Sequence, residues 1–566
     1  MKEKLIILGA GVMQGPVINI AKELGFYAIA LDGSSSAPCI SLADQFEQID
    51  LKDKEGIEAF ARSIQRTTSR LGIMTAGTDF SANVAWVAQK LGLPGIPYES
   101  ALNASDKSRM RECFKKANLP SPDFITITVA DLPLSPHSPL PTTHYPLPPS
   151  PFPLVIKPVD NMGSRGCRRI DSLEELNEAA KTAIGFSRSG RAIVEGYMEG
   201  PEFSVDAIVY HGEITICGLA DRHIFFPPYF IEMGHTMPTI IEEEKQTAIL
   251  DTFRAGIHAL GLAGKENIGA AKGDIKLTAK GPMIGEIAAR LSGGYMSGWT
   301  YPYSSGALPI KGAILAAMGR KPEGLIPIKK WTCAERAFIS IPGTVKQIIG
   351  LEEAKTANHV NDIFLRINEG SKVSFPENNV TKCGNIIASA EDRNTAILAA
   401  ETAARSILIR LDPADLETKE FILNLPHAEA QRRKGAEKLF PPNAFILPYE
   451  LETSLSHVEE DYLPNNNSAP PEPAFAGMVC ESKFLTISPF PEFTSSNLKD
   501  YMGRSVEEAL NAVRLLTGFP LPVSSENAEN IVRLGRSFWS AFIRGSYQGA
   551  VCYIDNLGVK IDSKSQ

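Results

Sequence analysis

The sequence predicts a multidomain protein of mixed α/β and α+β class, with a parallel α/β domain first and a C-terminal extension last. Three observations carry that expectation. The chain has 566 residues, and a single core rarely grows past ~250–300 residues. Strand and helix patterns alternate over roughly the first hundred residues, the order from which a parallel sheet with crossover helices is built. The alternation resumes after a proline-rich stretch and gives way to a less regular region from about Asp412.

Taken in order, Leu5–Leu8 is an apolar run ending in Gly9-Ala10-Gly11, and a helical pattern covers about Pro16 to Leu24. A second strand, Tyr27–Leu31, ends at Asp32; a helix near Lys54–Gln65 leads to a third strand, Leu71–Thr75, and another helix spans about Phe80–Leu91. Gly9-x-Gly11-x-x-x-Gly15 with Asp32 imitates a dinucleotide fingerprint, but its last spacing is one residue too long, and it reads better as a strand–turn–helix that needs glycine. Residues Pro133–Pro153 are rich in Pro, Ser and Thr and cannot form a ladder or a helix, so they read as a solvated insertion. A helix is expected over Asn394–Leu411, a polar linker over Tyr462–Pro473, and further helices near Ser505–Leu516 and Glu526–Ile543. The boundaries drawn from this pass are 1–104, 105–322 with the insertion 133–153, 323–415, and an unassigned extension 416–566.

Composition narrows the function. A net charge of −8 and a pI near 5.8 argue against nucleic-acid binding, which calls for a basic stripe. No apolar run reaches the ~18 residues of a membrane span, and the start of the chain reads as a strand and not a signal peptide. Cys39, Cys113, Cys167, Cys217, Cys333, Cys383, Cys480 and Cys552 are scattered singly, without a zinc or disulfide pattern. A cytoplasmic protein with reduced thiols is expected.

Three segments carry candidate chemistry. A strand delivers Lys157 and is followed by Asn161, Gly163, Ser164 and Gly166; small residues let backbone N–H groups converge on phosphate oxygens while the lysine supplies charge. In Ala192–Asp206 a strand ends at Glu195, an extended link passes Tyr197 and Met198, and a second strand begins near Glu202. Extended backbone there offers hydrogen bonds to an adenine edge, and Glu202 offers an acceptor to ribose hydroxyls. In Ala271–Arg290, two β-rich runs flank Ala279-Lys280-Gly281, a hairpin signal. A turn centred on Lys280 sets Asp274 directly opposite Glu286. Opposed carboxylates repel across a ribbon, and a magnesium ion that also binds phosphates removes the repulsion. Period-two alternation then sets Ala288 and Arg290 on the face of Glu286. Asp79, after the third strand, sits where an α/β sheet presents ligands.

Together these segments resemble the ATP-grasp superfamily of ligases, in order and over about residues 1–415. The resemblance implies a pre-ATP-grasp α/β domain and an ATP-grasp domain of two α+β subdomains. It makes Lys107, in Ser105-Asp-Lys-Ser-Arg-Met-Arg, the first ATP lysine and Lys157 the second, with Glu195–Met198 the adenine hinge and Glu202 the ribose acid. Asp274 and Glu286 become the metal ligands, for Mg2+ or in its place Mn2+, and Arg290 the contact to the transferred phosphoryl group or the substrate carboxylate. His235 falls in a stretch that borders the substrate in such ligases. Ala288 stands where many members carry a second-metal Asn, which leaves the metal count open. The implied function is ATP-dependent activation of a carboxylate as an acyl phosphate, captured by an amine or another nucleophile. A bicarbonate-activating carboxylase or carbamoyl-phosphate-synthetase-like enzyme, and an ATP-binding regulator without turnover, are the competing readings. The partners expected are small-molecule substrates, with no nucleic acid and no membrane; a homodimer stays open.

Overall fold

A computed structural model describes residues 2–134, 152–423, 444–445, 498–518 and 536–556. Most of the proline-rich insertion and the whole linker Tyr462–Pro473 lie outside the described residues. The chain divides into two units, residues 1–336 with 377–379 and 387–400, and residues 337–376 with 380–386 and 401–566.

The first unit opens with strand β1 (Lys4–Leu8), helix α1 (Gly15–Glu23), β2 (Tyr27–Asp32), β3 (Gln45–Gln48), α2 (Lys54–Gln65), β4 (Leu71–Met74) and α3 (Ser81–Leu91). The strands form a parallel sheet in the order β3-β2-β1-β4. Leu5, Ile6, Ile7 and Leu8 are wholly buried, as a strand covered on both faces requires. The edge strand β3, of sequence Gln-Phe-Glu-Gln, was not expected; it is polar and gains its ladder only from β2. The glycine loop after β1 satisfies itself. Asp32 accepts the Ala10 N–H (2.9 Å), and Gln14 accepts the Gly11 N–H (3.0 Å) while donating to the Ala76 carbonyl. Gly9 has φ +102°, and a Cβ there would lie 2.9 Å from the Gln14 side chain. The glycines therefore serve a strand–turn–helix closed over by Gln14.

Helices α4 (Tyr98–Ser105) and α5 (Lys107–Lys116) follow, with β5 (Phe124–Thr128), β6 (Leu154–Pro158), β7 (Arg168–Ile170), α6 (Leu173–Phe186) and β8 (Arg191–Gly196). Asp106 caps α5 by accepting the Ser108 and Arg109 N–H groups, and Ser172 caps α6, each satisfying donors that a helix start leaves open. The strands make an antiparallel sheet, β5-β8-β6-β7, with Leu176, Ala180 and Ala183 of α6 packed with Ile156 and Val194.

A larger antiparallel sheet comprises β9 (Glu202–Tyr210), β10 (Glu213–Phe225), β11 (Ile231–Met237), β12 (Ile268–Thr278), β13 (Gly281–Ala288) and β14 (Thr332–Phe338), with α7 (Glu243–Ala259) between β11 and β12 in sequence. Its spatial order here is β13-β12-β9-β10-β11-β14. Met110, Phe114, Phe253 and Ile257 from α5 and α7 share one core with Ile275, Ile284 and Ile287 of the β12–β13 ribbon.

In the second unit, a strand Gly343–Ile349 pairs with Lys372–Val373 and with Leu408–Leu411. This corrects the helix expected over Asn394–Leu411, which runs from Arg393 to Ser406 and yields to a strand. Leu408-Ile409-Arg410-Leu411 fits a helical period as well as a strand, and pairing with Gly343–Ile349 decides it. Helix Val506–Thr517 matches expectation. Of the helix expected over Glu526–Ile543, residues 526–535 lie outside the described residues; the helix Arg536–Asn556 passes the expected end at Ile543 and kinks at Ser546 (φ 52°). Phe538, Trp539 and Phe542 pack with Phe445 in this unit's core. No helix among the described residues is long and apolar enough to cross a membrane.

Candidate functional site

The ribbon β12–β13 carries the two acids expected to hold a metal. Its turn is tighter than predicted, because Thr278 pairs with Gly281 and only Ala279 and Lys280 lie between them. A two-residue turn without irregularity would set Glu286 opposite Gly273, on the core face. A bulge between Asp274 and Ile275 takes up Gly285 as the extra residue, so that Glu286 again pairs with Asp274. The bulge has a packing cause: it lets Ile284 and Ile287, three residues apart, both point into the core at 0% exposure while Glu286 faces the other way. A turn centred on Lys280 would have turned Ile284 outward.

Charge on that face is dense. Asp274 pairs with Arg222 of β10 (3.0 Å) and with Lys272, and accepts from Ser204 Oγ (2.8 Å). Burial alone would raise its carboxyl, but Arg222 and Lys272 hold it below its ordinary value. Glu286 pairs with Lys107 Nζ (3.1 Å). Burial opposes its ionisation too, and Lys107 first, then Lys272 and Lys157, hold its carboxyl far below the usual range. In return Glu286 and Asp79 raise the Lys107 ammonium against the cost of its burial. Lys107 is the first residue of α5, and its Nζ also donates to the Asn161 carbonyl (2.9 Å).

Lys157 pairs with Glu195 Oε2 (2.7 Å), and Arg111 takes Glu195 Oε1 (2.7 Å). Glu195 is 2% exposed; burial opposes its charge, and Arg111 and Lys157 keep the carboxyl lowered. The Glu195 side chain thus braces the second lysine. Met198 is half-buried in the link between β8 and β9, and the neighbouring Tyr197 ring lies under the Arg169 guanidinium (5.0 Å) and near Phe230 (6.4 Å). Glu202 starts β9 and pairs with Arg222 and with Lys276 (3.7 Å). Arg222 therefore holds Glu202, Glu232 and Asp274 together.

Between β6 and β7, Gly163, Ser164 and Gly166 have φ of 67°, 59° and 68°, a left-handed run that glycine adopts freely. Asn379 donates its N–H to the Gly163 carbonyl (2.9 Å) and its side chain to Ser164 Oγ (3.3 Å), and accepts the Glu232 N–H (2.8 Å). Cys167, at the end of this loop, has its thiol pushed up to about 11 by burial.

Strand β13 ends at Ala288, so alternation stops two residues short of Arg290. Arg290 is placed instead by the next segment, where Leu291 bridges in parallel to Ala76 and accepts the Gly77 N–H (3.3 Å). This brings the end of β4 alongside Arg290. Burial raises the Asp79 carboxyl, and Lys107 and Arg290 act on it in the opposite sense. Asp206 of β9 accepts both the N–H (2.9 Å) and the hydroxyl of Ser292, fixing the Ser292-Gly293-Gly294 turn; burial pushes its carboxyl up to about 6. His235 is buried on β11, with Nδ1 3.2 Å from Glu335 and Nε2 3.7 Å from Glu232. A Cβ at Gly294 would fall 2.9 Å from Glu232 and 3.3 Å from His235.

The first unit thus gathers Lys107, Lys157, Glu195, Glu202, Asp274 and Glu286 into three groups of ion pairs, Lys107–Glu286, Lys157–Glu195–Arg111 and Glu202–Arg222–Asp274, with Asp79, Arg290 and His235 bordering them. Sequence reasoning missed Arg111, Arg222, Lys272, Asp206 and Asn379. Lys272 could have been found, since it shares the face of Asp274 two residues away, and so could Arg111, four residues after Lys107 on α5; the others reach the site only through strand pairing or chain reversal. Among the described residues no three His, Cys, Asp or Glu side chains form a metal cage by themselves. Two carboxylates that would share a metal with phosphate oxygens suit a hard divalent ion such as magnesium.

Comparison with known proteins finds matches over two parts of the chain. Residues 150–297 match the ATP-grasp domain family, and residues 337–412 match the L-amino acid ligase C-terminal domain 2. The uncharacterized protein y4rH of Sinorhizobium fredii is 25% identical over 430 residues, 74% of this chain and 86% of that protein. Carnosine synthase 1 of Gallus gallus is 22% identical over 336 residues, 57% of this chain but 36% of that protein, so this chain spans little more than a third of that relative. The solved L-amino acid ligase of Bacillus licheniformis shares the fold at a TM-score of 0.60 and 22% identity, covering 73% of this chain and 99% of that one.

Proposed function

We propose that this chain, an ATP-grasp ligase by the domain it carries, activates a small carboxylate with ATP and joins it to an amine, with amino acids as the substrate class. One observation carries the reading: two ionised acids face each other across a ribbon within reach of two lysines from different elements, where a nucleotide's triphosphate and its cation would neutralise one another. The L-amino acid ligase type of the second domain favours amino acids as substrates.

In this reading Lys107, Lys157 and the loop Gly163–Gly166 bind the triphosphate, the link through Met198 takes adenine, and Glu202 takes ribose. Asp274 and Glu286 would hold magnesium, which supplies neutralisation of phosphate charge. A substrate carboxylate oxygen attacks the γ-phosphorus and ADP leaves; Arg290 and Lys157 stabilise the charge spread over the transferring oxygens. The amine then attacks the acyl carbon, inorganic phosphate leaves, and a proton is given up. Asp79, beside Arg290, contacts the acceptor substrate, and His235, flanked by Glu232 and Glu335, forms an acidic face for a substrate ammonium. Enclosure of the acyl phosphate by the loop protects it from water. We further take residues 1–104 and 105–322 as the pre-ATP-grasp and ATP-grasp parts, and 323–415 as the α+β part that follows.

A phosphate-release assay over a library of amino acids tests this, on wild type and on Glu286→Gln. Release that needs both an acid and an amine, and falls about 100-fold in the variant, is expected. Release on bicarbonate alone would make it a carboxylase-type enzyme. ATP binding without phosphate release on any substrate would overturn the ligase reading and leave a nucleotide-binding regulator.

A further inference from the structure

We propose that Arg111 is a positioning residue that sets the distance between the two ATP-directed lysines and the acid Glu286. The inference rests on the nucleotide site proposed above. Arg111 is 0% exposed and lies one helical turn after Lys107 on α5. Its guanidinium forks. Nε donates to Glu195 Oε1 (2.7 Å), and Nη2 donates to the carbonyl of Gly285 (2.7 Å). Each prong ends one bond from a functional group. Glu195 passes its other oxygen to Lys157 (2.7 Å), and Gly285 is the bulge residue that precedes Glu286, itself paired with Lys107 (3.1 Å). The contacts therefore form two arms, Arg111–Glu195–Lys157 and Arg111–Gly285–Glu286–Lys107, that meet in one planar group, the second closing on itself through α5.

A planar fork suits this task and a point charge does not. Arg presents donors at fixed angles, so the β8 acid and the β13 bulge are held at one separation, while a lysine ammonium can satisfy only one of them well. The bulge has particular need of an anchor, because its extra residue is outside the register of the ladder. Without the fork, Glu195 would balance its buried charge on Lys157 alone, drawing that lysine away from phosphate.

The test compares Arg111→Lys with wild type in steady-state turnover and in direct Mg-ATP binding by calorimetry. A merely structural role lowers the folded fraction, which scales kcat and leaves every KM unchanged. The positioning role predicts that KM and Kd for Mg-ATP rise about tenfold, that the magnesium needed for half-maximal rate rises with them, and that the KM values for acid and amine stay within about twofold. A KM and Kd for Mg-ATP within about twofold of wild type overturn the proposal. If Arg111→Lys yields no folded protein, Arg111→Gln, whose amide cannot span both acceptors, is read identically. Calorimetry needs no turnover, so a wild type that binds Mg-ATP but ligates nothing removes the ligase reading while Arg111 is still judged by Kd; a wild type that binds no Mg-ATP removes both.

Discussion

Asp206 shows how a single buried carboxylate ties the Ser292-Gly293-Gly294 turn to the sheet beneath it. It is 0% exposed, and accepting two hydrogen bonds from Ser292 does not offset its desolvation, so its carboxyl sits at about 6 where about 3.8 is ordinary. The folded chain therefore binds this proton more tightly than the unfolded chain. The contribution is present at pH 4 and is lost as pH rises toward about 6, a cost of about 3 kcal/mol at neutral pH. Asp206→Asn removes the charge, so the thermal midpoint of wild type should decline relative to the variant between pH 4 and pH 6 and run parallel above it. A constant difference across that range would show that Asp206 ionises normally. Glu286, Asp274, Lys107 and Lys157 were legible in sequence because each belongs to a local motif. Arg222 was not, because its three acids lie on β9, β11 and β12 and meet only when the strands pair.

The β12–β13 ribbon is the element on which the site turns. Its expected pairing of Asp274 with Glu286 is present, but the predicted three-residue turn is not, and a bulge restores the pair. Alternation alone could not have placed that bulge; the demand that Ile284 and Ile287 both be buried did. Gly285 permits it, since a Cβ there would stand 3.0 Å from the Asp274 carbonyl. Gly285→Ala should therefore lower stability by about 1–3 kcal/mol and raise the magnesium requirement for turnover; wild-type behaviour on both counts would mean the bulge tolerates a side chain. The segment after Ser406 teaches the same point for a strand. Leu408–Leu411 looked like the end of a helix until a partner strand at Gly343–Ile349 claimed it.

At the scale of the molecule, the first unit should respond to its ligand as one body. If Mg-ATP binds the folded form alone, saturation at about 100 times Kd adds about 2.7 kcal/mol, visible as a rise in the unit's thermal midpoint, and Glu286→Gln should abolish most of that rise. The second unit has its own core, in which Phe542 is 0% exposed and stacks on Phe445 at 5.1 Å. Phe542→Ala should cost about 3–5 kcal/mol, read as faster amide exchange across Val506–Thr517. Unchanged exchange there would show that helix to be held by other contacts.

By itself the sequence determined the parallel α/β opening, whose apolar strands and helical periods are local signals, and the order of acids, lysines and glycines that resembles ATP-grasp. Only the tertiary structure decided which cations stand against those acids, where the bulge falls, and that Glu195 braces a lysine with its side chain. The physical reason is that periodicity reports the face a residue occupies, whereas ion pairs and bulges depend on partners far away in the chain, brought together by the burial of apolar surface elsewhere.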